Sequence, residues 1–147
     1  MTAASRLSAL PAELALDAAL RAGADGSVCA MAAVELVIEH GTWLSRHDFV
    51  VGFTETVHGF DNVPMAFVDW APAIDALSAG QLACSSSEEQ LLRVAASLAE
   101  GIPINLSDAA CSFDQTNAAR VARALLSAAG HPEAIFHMCR TEGGAIT

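Results

Sequence analysis

Lysine is missing from this sequence of 147 residues: all seven basic residues are arginine. That pattern reads as coding bias rather than as the design of a binding surface. Charge of any kind is sparse, at 16% of residues, and it runs acidic, with a formal net charge of -10. Direct contact with nucleic acid or with an anionic lipid surface needs a positive face, so composition argues against both. No run of about 18 apolar residues occurs. The longest candidate, Val28–Ile38, is broken by Glu35, and no membrane span is expected. The opening MTAASRLSALPAEL lacks an uninterrupted apolar core of signal-peptide length. Cys29, Cys84, Cys111 and Cys139 include no C-x-x-C pair, which predicts reduced, mostly buried thiols in a reducing, cytoplasmic setting. Also missing are a Walker loop, a Rossmann glycine pattern, Gly-x-Ser-x-Gly and H-E-x-x-H. No cofactor is implied, and the sequence leans away from an enzyme.

What is present is apolar and helix-forming. Hydrophobic residues make up 53% of the chain, many of them alanine, the best helix former and small enough for close helix approach. The length suits one domain with a real core. We expect a single helical domain over residues 1–140, with 1–8 loose and 141–147 a flexible tail.

The clearest local writing runs from Cys84 to His131. Ser85 with Glu88, or Ser86 with Glu89, has the spacing of a capping box. Leu91, Val94, Ala95 and Leu98 follow at helical spacing, and Gly101 and Pro103 end that helix. Ser107 or Asp108 can cap a turn around 109–112. Asp114 opens the next helix, whose expected inner face is Ala118, Val121, Ala122, Leu125 and Ala129, with Arg120 and Arg123 pointing away. Two such helices are expected to pack on each other.

Elsewhere, Pro11 suits the first turn of a helix that ends at Gly23. Ser27 caps a helix over Val28–His40 that is apolar nearly all round except for Glu35, Glu39 and His40, as a central helix is. Ser45 with Asp48 resembles a cap for a helix over Phe49–His58. A turn-rich loop covers Gly59–Pro64, and Met65–Val68 can be extended. Asp69 caps a helix carrying Trp70, Ile74 and Leu77, and Pro132–Cys139 forms a last short helix. The predicted fold is all-α, a compact bundle of about six short helices.

The sharpest chemical pattern is Glu55-x-x-His58, a pair on one helix face of the kind used by carboxylate-bridged metal bundles. His47 lies eleven residues earlier, near the same face of a helix, and Glu35 and Glu39 can add carboxylates from the preceding helix. These five residues are the candidate metal ligands. Against them stands the ordinary reading of a solvated polar face, because such bundles need two Glu–His pairs, and Glu133 with His137 is spaced four apart. A cysteine–histidine nucleophile has no local signature here. The run Ser85–Ser87 is explained by capping rather than anion binding, since Glu88 and Glu89 oppose an anion.

Over residues 69–130 the sequence carries DW…AL…G-x-L-x-C-S-S, then LLRVAASLAEG-x-P-I-x-L-x-D-A, then D-x-x-N…V-x-x-A-L-L-x-A-A-G. In these motifs it resembles a type of short hypothetical protein from actinobacteria and their phages. The segment DGSVCAMAAVELV with Arg46-His47-Asp48 is similar to a related stretch, where an acid follows the methionine and the loop reads Asp-His-Pro. This chain has Ala32 and Asp48 at those places. The resemblance covers more than half the chain. It implies a helical fold and carries no activity.

Three roles follow as expectations. The first is a small acidic protein acting through protein–protein contacts, as a homo-oligomer or accessory subunit, because few charges and many apolar residues leave surface for a partner. The second is a phage or mobile-element inhibitor whose acidic surface occupies a basic site. The third is a carboxylate–histidine metal-binding bundle.

Overall fold

A computed structural model describes residues 12–134. The expectations for residues 1–8, most of 132–139 and 141–147 fall outside that span. Seven helices hold 63% of the described residues, and one two-stranded antiparallel sheet accompanies them. The fold is mostly helical rather than all-α.

In chain order the elements are α1 (Ala12–Ala24), α2 (Val28–His40), α3 (His47–Phe53), β1 (Thr54–His58), β2 (Pro64–Val68), α4 (Trp70–Ser78), α5 (Ser86–Glu100), α6 (Leu106–Ser112) and α7 (Gln115–Ala128). The caps follow from residue chemistry. Ser27 accepts from the Ala30 N–H, Asp114 from that of Asn117, and Ser85 forms the full capping box with Glu88. Gly101 closes α5 in the left-handed region at φ 71°, a conformation that costs a Cβ-bearing residue more. Asn105, not Ser107 or Asp108, caps α6. Ser45 does not cap α3; its hydroxyl donates to the carbonyls of Gly41 and Thr42.

The core centres on α2, where Ala32, Ala33, Val34, Leu36 and Val37 are all buried. It packs against α1, α5 and α7, as its all-round apolar surface requires. α5 and α7 do touch, but each leans mainly on α2 rather than on the other. That rotates α7 away from its expected orientation. Asn117, Val121 and Ala124 face inward, while Ala118, Ala122 and Leu125 are exposed. Consequently Arg120 and Arg123 reach back to Glu39 on α2 instead of pointing away.

The turn after α2 carries Trp43, fully buried. Its indole N–H donates to the Glu88 carbonyl in the first turn of α5 at 3.0 Å. Its ring lies 5.4 Å from that of Phe49, which in turn lies 5.8 Å from Phe53. The Arg46 guanidinium sits 4.9 Å from the indole centroid, pairs with Asp48 and donates to the Ala83 carbonyl. This knot joins the ends of α2, α3 and α5.

The largest departure from expectation lies at 54–58. The helix begun at His47 stops at Phe53, and Thr54–His58 is a strand paired with β2 in the register Thr54↔Val68, Thr56↔Ala66 and His58↔Pro64. β-branched Thr54, Thr56 and Val57 favour this extended state. Asn62, at φ 61°, supplies the left-handed residue that turns the hairpin.

Candidate functional site

The structure does not gather the five residues singled out for metal binding. His47 is the first residue of α3 and is exposed. Glu55 and His58 stand three apart in a strand, where side chains alternate, so they project from opposite faces of the hairpin. Glu35 and Glu39 lie on α2 and are engaged by arginines. Among the described residues no group of three or more His, Cys, Asp or Glu side chains comes together. His137 lies outside the described residues.

Glu35 and Glu39, one helical turn apart, do face a common space. A cleft of about 490 Å³ opens between α2 and α7, with Val28, Met31, Leu36 and Ala124 among its apolar walls. Arg21 of α1 donates to both oxygens of Glu35, at 2.6 and 3.3 Å. Arg123 donates to Glu39, and the Arg120 Nε lies 4.0 Å from the same oxygen. Glu35 and Glu39 are thus each paired with arginine, and the pairs link three helices. Half-exposed pairs of this type contribute roughly 0–1 kcal/mol each, so they set how α1 and α7 sit on α2 more than how tightly.

Behind the cleft, Arg120 donates to the Asn117 side-chain oxygen at 2.9 Å, and the Asn117 amide donates to the Ser87 hydroxyl at 2.8 Å. His40 lies at the end of α2, with its Nδ1 buried and without a hydrogen-bond partner among the described residues. Burial pushes its pKa below the ordinary value, Arg120 acts in the same direction, and Glu88 and Asp114 oppose. The neutral ring is the folded form. Above about pH 6.5 the folded and unfolded chains both hold it neutral. Below that, the unfolded chain takes up a proton that the folded chain resists, so stability falls with pH. The unfolding free energy is expected to decline as pH falls below about 6.5, with a shallower slope in His40→Gln. Urea titrations at stepped pH measure both slopes, and equal slopes would remove His40 from the account.

The three described cysteines are not the buried thiols expected, and Cys139 lies outside the described residues. Cys29 and Cys111 are exposed at helix positions turned from the core, and Cys84 is half-buried. Burial, followed by Glu89 and Glu88, pushes the Cys84 thiol pKa up, which disfavours the thiolate a nucleophile needs. In the same region Arg46 holds the Asp48 carboxyl below its usual range by hydrogen bonding. That ties both groups into the Trp43 knot.

The feature that sequence reasoning missed is β1, which makes a hairpin with the extended stretch read at Met65–Val68. Phe60 at its tip is fully exposed, and Val57, Val63 and Phe67 are 37%, 45% and 42% exposed. Val57 and Phe67 share the outer face, because Glu55↔Phe67 and Val57↔Met65 are cross-strand pairs. The inner face carries Ala66 and Val68, both buried. The signal was available in the β-branched run Thr54, Thr56, Val57 ahead of Asp61-Asn62. The helical spacing of Glu55 and His58 competed with it.

Among the described residues no helix is long and apolar enough to cross a membrane. Compared with protein-family models, curated proteins and solved structures, the chain matches none.

Proposed function

We propose that this chain works through protein–protein contact, with the β1–β2 hairpin as its docking surface. The observation that carries this reading is the fully exposed Phe60 at the hairpin tip, beside partly exposed Val57, Val63 and Phe67. Aromatic side chains supply large contact area at low entropic cost and dominate the energetics of interfaces. Isolated exposed apolar residues are ordinary on a protein surface, but four on one small projection form a patch. The α2–α7 cleft supports a ligand reading less well, because Glu35 and Glu39 are already occupied by Arg21 and Arg123.

The test places a photo-crosslinking phenylalanine analogue at Phe60, with the same analogue at exposed Asp75 on α4 as the comparison. Illumination in the source cell is expected to give discrete protein adducts from position 60 and none from position 75. Equal yields at both positions, or none at 60, would contradict the reading.

A further inference from the structure

We infer that the partner of this hairpin is a second copy of the chain, joined through the outer edge of β1 in an antiparallel pairing centred on Thr56. This rests on the hairpin being the docking surface and adds the identity and register of what docks there.

The backbone fixes which edge is free. The Asp69 N–H donates to the Phe53 carbonyl at 2.8 Å, and the Gly59 N–H to that of Val63 at 3.1 Å. With the register Glu55↔Phe67 and Val57↔Met65, the odd-numbered residues of β1 spend their backbone groups on β2. Those of Thr54, Thr56 and His58 point outward. The sheet has two strands, and no described element pairs with that side of β1. The other side of the hairpin is closed: a Cβ built on Gly23 of α1 would lie 2.2 Å from the Ala66 carbonyl oxygen, so α1 lies hard against β2.

An edge exposing Thr54, Thr56 and His58 is complementary to itself. With Thr56 opposite Thr56 of the second copy, Thr54 meets His58 and Glu55 meets Val57. All the outward backbone groups then fall in hydrogen-bonded pairs. Charge selects among the possible registers. A shift that places Thr54 opposite Thr56 puts the two Glu55 carboxylates directly across from each other, which destabilises the pair. The opposite shift pairs Val57 with Val57 but leaves Thr54 without a strand partner. Glu55 is the only carboxylate on each paired strand. The other carboxylates of a chain at -10 lie outside the paired strands.

The same register accounts for the exposed tip. Phe60 lies two residues beyond His58, about 7 Å further along at ~3.3 Å per residue. In the second copy that position corresponds to the last turn of α3, just before Thr54. There Val51 is 67% exposed, and a Cβ on Gly52 would meet nothing within 4 Å. The two-fold relation turns the hairpin tip of each copy, with exposed Phe60, toward the α3 end of the other, with exposed Val51.

The test combines light scattering across a dilution series with amide hydrogen exchange on the full chain. Twice the chain mass is expected, with the Thr56 amide at least about tenfold more protected at high concentration than at low. Thr56→Pro removes an N–H that β2 does not use, so proline is tolerated there as on other strand edges. It is expected to weaken the dimer by ~10-fold or more. Should that variant fail to fold, the Thr56 exchange series on the unaltered chain decides. A dimer that survives Thr56→Pro but is broken by Phe60→Asp would overturn the edge pairing and leave the hairpin reading intact. A monomer at all concentrations, with concentration-independent Thr56 exchange, would overturn the second copy, and the Phe60 crosslinks would then judge the hairpin reading by themselves.

Discussion

Trp43→Ala is expected to lower the unfolding free energy by about 3–5 kcal/mol, the usual cost of deleting a buried large aromatic. Trp43 is 0% exposed, so the removed ring leaves a cavity that the ends of three helices must either bridge or collapse into. The ring also contributes an edge to Phe49, a face to Arg46 and the N–H that reaches Glu88. Of those contacts the one to Glu88 joins segments far apart in sequence. A domain of this size has about 5–15 kcal/mol to lose, so the variant is expected to be marginally folded at 37 °C. Trp43→Phe keeps most of the packing and loses the indole donor, with an expected cost of about 1–3 kcal/mol. Trp70 remains as a fluorescent reporter in both variants, and denaturant titrations followed through it give the comparison. A loss below about 1 kcal/mol in Trp43→Ala would show that the knot is peripheral to stability.

Gly23→Ala is expected to destabilise by roughly 1–3 kcal/mol through overpacking, against the direction that helix propensity sets. Alanine in place of glycine inside a helix ordinarily gains up to about 1 kcal/mol. At this position the new Cβ would stand 2.2 Å from a backbone oxygen of β2 and 3.1 Å from the Phe67 ring. The ring can turn aside, but the carbonyl can move only with its strand, so the clash term exceeds the propensity term. Gly52→Ala is the matched comparison: it lies in α3 with open space around it, and is expected to be neutral or stabilising by up to about 1 kcal/mol. Thermal or urea unfolding of the two variants under one set of conditions is the measurement. Equal signs would show that α1 and β2 yield more freely than their contact implies. Because α1 also positions the hairpin, Gly23→Ala is further expected to lower the crosslink yield from position 60.

The helices were legible wherever a side chain commits the backbone on its own. Ser27, the Ser85–Glu88 pair and Asp114 each satisfy an N–H within three residues, so their caps could be read without tertiary information. The central place of α2 was legible too, from its lack of a polar side. Rotation about an axis was not. α7 turns Leu125 out and Asn117 in because Asn117 has a partner in Ser87, thirty residues away, and an alanine-rich helix offers little contrast between faces to say otherwise. The strand at 54–58 was misread because Glu55 and His58 fit a helical period while three β-branched neighbours fit an extended one. Pairing with β2 decided between them, and pairing is a non-local term. The expected alignment of Glu55 with His58 went with it, since the alternation of a strand separates what a helix would have aligned.

The close seat of α1 on β2 has a consequence for how far assembly can proceed. A lone hairpin has two open borders and can be extended from either side without limit, which is the hazard natural sheets must manage. Many edges are guarded by lysine, and this chain has none. Here one border is stopped by a helix packed so near that a single methyl group would collide. Among the described residues each molecule therefore offers one border only, and the proposed pairing of two would consume both. Under the proposed edge pairing, growth would end at a pair of molecules with four strands, and Gly23, remote from the contact itself, would be the residue that sets the count.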